Sequence, residues 1–139
     1  MVISREEDVA TYRDAYSPLW GEPEERVASA AVAPESVEQI QKILAIANRF
    51  SIPLYTVSTG RNLAYGGSAP VYSGSVVLDL KRMNRVLEVS EEFAHALVEP
   101  GVSYFDLYRY IRGSHRERLG HLPGTRGFPR QGHELAFLQ

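Results

Sequence analysis

The sequence predicts an α/β (in the looser sense α+β) domain: a small mixed sheet flanked by helices. Three observations carry this. Short β-branched runs and one strongly amphipathic pattern follow the order strand, helix, strand. One run, Ser75 to Leu80 (SVVLDL), is nearly all apolar, as a strand covered on both faces requires. A glycine-rich loop, Thr56 to Pro70 (TVSTGRNLAYGGSAP), leaves the carboxyl end of a strand, where open α/β sheets bind ligands.

Each element has its own justification. Glu6 to Tyr16 predicts a short helix ended by Ser17-Pro18. Val27 to Val32 reads as a strand that stops before Pro34. Ser36 stands three residues before Gln39, a capping-box spacing. Val37, Ile40, Ile43, Leu44 and Ala47 then recur at helical spacing, so a helix is expected over 36–49. Pro53 closes that connection and Leu54 to Val57 forms the next strand. The first strand, this helix and the second strand make a βαβ unit with a parallel pair. After the loop and the 75–80 strand come two more strands, Val86 to Val89 and Ala94 to Glu99, with Glu91-Glu92 in the turn between them. Pro100-Gly101 breaks the second. Ser103 can cap a last helix over 103–112, with Asp106 in its first turn.

Composition bounds the function. A chain of 139 residues suits one domain with a real core, and 44% hydrophobic content is ordinary for a globular protein. A formal net charge of −2 gives no footprint for nucleic acid or an anionic membrane. No apolar run approaches the ~18 residues of a membrane span. With no cysteine, disulfides, thiolate metal sites and cysteine nucleophiles are excluded. The N-terminus lacks a basic-then-apolar leader pattern, so a cytoplasmic location is the expectation.

The glycine loop holds almost no bulk to pack a core. Glycines let backbone approach a ligand closely, and successive backbone N–H groups can cradle an anion. Arg61 adds a fixed positive charge and Asn62 an orienting amide. A diphosphate suits such a device. The alternative is an ordinary surface hairpin whose glycines and proline only make turns. Neither GxGxxG before a helix nor GxxxxGK followed by Ser or Thr is present, so the common nucleotide motifs do not decide between them.

The stretch STGRNLAYGGSAPVYSGSVVLDLKRMNRVLEV, followed by ALVEPGVSYFDLYRYI, closely resembles the FAD-binding domain of the vanillyl-alcohol oxidase and p-cresol methylhydroxylase flavoprotein family. Its 4-phenol-oxidising members look nearest, and the similarity spans about Tyr12 to Arg112. The resemblance implies a PCMH-type FAD-binding fold with FAD as cofactor. It implies that Ser58, Thr59, Gly60, Arg61, Asn62 and Leu63 wrap the FAD pyrophosphate and that Gly66, Gly67 and Ser68 continue toward the flavin. Pro100 and Gly101 correspond to a second FAD-contacting turn. Tyr65 matches a tyrosine that helps bind the phenolic oxygen of the substrate as phenolate; the alternative is a tyrosine that only packs beside the flavin. No histidine lies between Thr56 and Pro70, so flavin attachment through a loop histidine is not available. The resemblance implies a phenolic small-molecule substrate and is compatible with a homodimer.

Residues 1–112 are therefore expected to form the N-terminal part of that domain. Residues 113–139 do not align with it and show no hydrophobic period; they read as a flexible, non-homologous tail, frameshifted or truncated, or else as a divergent ending. His115, His121 and His133 fit no helical or finger spacing, so no metal site is expected. His95 reads as a surface residue and Glu22, Glu24 and Glu25 as a surface run. Asp79, inside an apolar strand, is expected to accept hydrogen bonds from the neighbouring loop. Two functions from different classes follow: the FAD-binding portion of an oxidoreductase acting on para-substituted phenols, or a non-catalytic remnant serving as a nucleotide-binding or interaction module.

Overall fold

A computed structural model of the chain describes residues 1–14, 16–59 and 68–120. Among these, β1 (Val2–Ile3), α1 (Glu6–Val9) and a 3₁₀ turn (Ala10–Tyr12) precede β2 (Ala30–Val32), α2 (Val37–Phe50) and β3 (Leu54–Val57). β4 (Val76–Asp79), β5 (Val86–Ser90), β6 (His95–Val98) and α3 (Tyr104–Gly120) follow. The fold is the expected mixed α/β arrangement, a small mixed sheet with helices.

The main sheet has the order β1-β2-β4-β3. β1 runs antiparallel to β2, and β4 is parallel to both β2 and β3. The expected βαβ unit exists, but its two strands are not neighbours: β4 lies between them, pairing Ala31 with Val77 on one side and Tyr55 with Val77 on the other. Its apolar sequence explains that central place, for Val77 is fully buried and Leu78 nearly so. Tyr12, Ala31, Val57 and Val77 form the buried cluster, with Ile3, Ala28 and Tyr55 packed on it.

α2 starts where its cap predicts. The Ser36 hydroxyl accepts the Gln39 N–H at 3.3 Å, and Gln39 Oε1 accepts the Glu35 N–H at 2.9 Å. It ends on Ser51 in the left-handed region (φ 52°), a position glycine usually takes. α3 is capped by Ser103, whose hydroxyl accepts the Asp106 N–H while the Asp106 carboxylate accepts the Ser103 N–H at 3.1 Å.

The larger departures from expectation lie in the first helix, the first strands and the last helix. The first helix stops at Val9 and tightens to 3₁₀ as far as Tyr12, because Arg13 turns to extended backbone and pairs with Glu25. The second strand of the sheet, β2, is confined to Ala30–Val32, and the two-residue β1 was not foreseen. α3 continues through Gly113 to Gly120 rather than ending at Arg112; an interior glycine costs a helix only about 1 kcal/mol.

Candidate functional site

The carboxyl ends of β3 and β4 lie side by side, with Val57 opposite Asp79. The chain leaves β3 at Ser58 toward the glycine loop. Of the residues expected to bind cofactor, Ser58, Thr59, Ser68, Pro100 and Gly101 are described. Gly60, Arg61, Asn62, Leu63, Tyr65, Gly66 and Gly67 lie outside the described residues.

Two of the expected segments meet directly. The Ser58 hydroxyl donates to the Pro100 carbonyl. The Gly101 N–H donates to the Met83 carbonyl at 2.7 Å, and the Leu80 N–H to the Val57 carbonyl at 2.9 Å. Gly101 is buried. A Cβ there would lie 2.5 Å from the Leu80 carbonyl oxygen, 2.7 Å from that of Lys81 and 2.8 Å from that of Met83. Its lack of a side chain is thus required by backbone packing within the protein itself.

Beneath this junction Asp79, 5% exposed, collects three donors. The Tyr12 hydroxyl reaches Oδ2 at 2.6 Å, the Lys81 N–H reaches Oδ1 at 2.9 Å, and Lys81 Nζ stands 3.5 Å from Oδ2. The Lys81 bond is the loop contact the sequence predicts. Tyr12, 67 positions away, is the partner it misses; the only signal was a carboxylate in an apolar strand, which must find donors somewhere. Burial, reinforced by the bond to Asp79, pushes the Tyr12 hydroxyl well above the usual phenol range.

Glu25 corrects the reading of its acidic run. It is buried, and its carboxylate accepts Arg13 Nε at 2.7 Å and the Gly21 N–H at 2.7 Å. Arg13, and secondarily the Gly21 N–H, hold it below the usual carboxylate range. Glu99, next to the Pro100–Gly101 turn, is likewise buried, accepting the Arg85 guanidinium at 2.6 and 2.9 Å and the Arg85 N–H at 2.8 Å. The guanidinium, followed by that N–H, lowers its pKa. Among the described residues no buried side-chain polar atom lacks a partner.

The carboxyl ends of parallel strands are where open α/β sheets bind ligands, and there the exit of β3 meets the Pro100–Gly101 turn. The chain belongs to the FAD-binding domain family, whose model matches residues 28–127. FAD is the cofactor this family indicates, and the chain is similar to the FAD-binding part of p-cresol methylhydroxylase.

Over 84 residues it is 50% identical to the 4-cresol dehydrogenase [hydroxylating] flavoprotein subunit of Pseudomonas putida, covering 60% of this chain and 16% of that protein. The substrate-bound p-cresol methylhydroxylase crystal structure superposes with a TM-score of 0.76 at 40% identity, over 82% of this chain and 22% of that one. An isoeugenol complex of 4-ethylphenol oxidase from Gulosibacter chungangensis gives the same TM-score and coverage at 46% identity. The chain thus spans less than a quarter of the length of these relatives. Among the described residues no helix is long and apolar enough to cross a membrane.

Proposed function

We propose that this chain supplies the pyrophosphate-binding part of a flavoprotein that oxidises para-substituted phenols. The observation that carries the reading is the junction of Ser58 with Pro100–Gly101 at the carboxyl ends of β3 and β4, in a chain half identical, where they align, to a 4-cresol dehydrogenase subunit. In this reading Ser58 to Leu63 wrap the diphosphate, with Arg61 as its cation; Gly66, Gly67 and Ser68 continue toward the flavin; and Pro100–Gly101 form the opposite wall. FAD, when bound, would supply the acceptor for a hydride from the benzylic carbon of the substituent para to the phenolic oxygen. The hydroxyl of Tyr65 holds that oxygen as phenolate, which eases hydride loss and leaves a quinone methide.

The reading assigns the function to residues 1–112 and treats 113–139 as an appended tail, although α3 crosses that boundary. It places the chain in the cytoplasm with FAD and a phenolic small molecule as partners, compatible with a homodimer and without nucleic acid or membrane. The net charge of −2 supports the last point.

Calorimetry with FAD on the wild type, Arg61→Ala, Gly60→Val and Tyr65→Phe tests it. Loss of one charge-assisted phosphate contact costs about 1.5–3 kcal/mol, so Arg61→Ala should weaken FAD roughly 10- to 150-fold. Gly60→Val should do at least as much, and Tyr65→Phe should leave FAD binding nearly unchanged. No binding, or equal binding by all four, would leave the alternative of a folded module without nucleotide function.

A further inference from the structure

We propose that Ser58 is a positioning residue: its hydroxyl clasps the exit of β3 to the Pro100–Gly101 turn and so sets the spacing of the two cofactor-facing segments. This deepens the FAD reading and rests on it.

The geometry supports a clasp over a direct ligand contact. A serine hydroxyl has one proton, and here that proton goes to the Pro100 carbonyl, 42 positions along the chain. Among the described residues, the hydrogen bonds that otherwise join the two segments do so only indirectly. The route runs from Val57 through the Leu80 N–H, across the 80–83 turn closed by the Met83 N–H to the Leu80 carbonyl at 3.0 Å, and through Met83 to the Gly101 N–H. The clasp closes this path into a ring.

The rest of the ring is stiff on its own account. Gly101 is pressed against the carbonyls of Leu80, Lys81 and Met83, so the turn cannot move inward. Asp79 is fixed from below by the Tyr12 hydroxyl and the Lys81 N–H. Glu99 is held by Arg85 through both its side chain and its N–H, and the Val102 N–H bonds back to the Glu99 carbonyl at 3.1 Å. Each member is thus tied to the sheet or to the hairpin except at the point where β3 ends. Ser58 and Pro100 are both exposed there, so among the described residues one hydrogen bond sets how far the strand exit and the turn stand apart. A ligand gripped by both would be sensitive to that distance, because contacts made simultaneously fail when their spacing drifts.

Ser58→Ala and Ser58→Thr separate the roles, with amide exchange measured in the ligand-free protein and FAD affinity measured by calorimetry. The expected result for Ser58→Ala is faster exchange at Thr59, Gly101 and Val102, exchange at Val77 unchanged, and FAD weakened roughly 3- to 10-fold, the range for one hydrogen bond. Ser58→Thr keeps the hydroxyl and should restore both. Loss of FAD affinity with no change in exchange would mean that the hydroxyl touches the ligand, and would overturn the clasp. Faster exchange with unchanged affinity would overturn the positioning role. If no form binds FAD, the proposed function fails, and unchanged exchange in Ser58→Ala would overturn the clasp independently.

Discussion

The four-stranded sheet and the β5–β6 hairpin are both made of short β-branched strands, yet different forces hold them. The sheet is held by burial: Ala31 and Val77 have no exposed surface, and Tyr12 and Val57 close over them. In the hairpin no strand residue is buried. It is held at its base by Arg85 and Glu99, and at its tip by His95, which stands 3.8 Å from Glu88 and stacks on Phe93. Its register also slips once, between Val86 and Glu88. The difference shows where the chain keeps its rigidity. The candidate site grows from the end of the buried sheet, and the hairpin contributes only the turn that follows it.

The contrast should break most clearly in the cores. Val77→Ala removes two buried carbons from the central strand and should cost about 2–3 kcal/mol. Leu97→Ala, at a hairpin position 54% exposed, should cost less than about 1 kcal/mol despite deleting more atoms. Urea denaturation of both variants checks the pair, and similar losses would erase the distinction.

A smaller effect is expected at the polar link beneath the sheet. Tyr12→Phe leaves the buried Asp79 short of a donor and should cost about 1–2 kcal/mol at pH 7. Because the folded state raises the Tyr12 pKa, its contribution is complete below the ordinary phenol value and is lost as pH climbs above about 10. Thermal melts should therefore show a steeper alkaline decline for the wild type than for Tyr12→Phe.

The weakest expected effect is at the hairpin clamp, since Arg85 is 72% exposed and the pair is open to screening. Glu99 has its pKa lowered on folding, so its contribution is present above the ordinary carboxylate range and disappears as pH falls below about 4. Glu99→Gln should flatten the acid limb of the stability profile, and added salt should mimic part of that change. An acid limb identical to that of the wild type would remove the clamp from the account.

What was legible in the sequence was local. The Ser36–Gln39 and Ser103–Asp106 caps rest on contacts three residues apart, the run that became β4 on its own apolar composition, and each holds in the structure. What was not legible depends on distant pairing. A βαβ pattern does not reveal that a later strand will slip between its two strands, nor that Tyr12 will reach Asp79. Gly101 was readable as a turn residue, but its physical cause, three carbonyls facing it, exists only once β4 has been placed. Arg61 and its glycine neighbours were read from the loop's own chemistry and Tyr65 through resemblance alone, and all of them lie outside the described residues.

The central position of β4 bears on how the chain comes into being. β2 and β3 share no hydrogen bonds, so until Val76–Asp79 has been synthesised they have no common ladder to join. A nascent chain halted before that point would carry α2, β2 paired only with the two-residue β1, and an unpaired β3, and its apolar residues would be open to chaperones. Once Asp79 emerges, both parallel ladders can close almost together, so the fold should be acquired in one late step on the ribosome. Stalled chains of increasing length, probed by protease, should turn from sensitive to resistant shortly after residue 79 has cleared the exit tunnel.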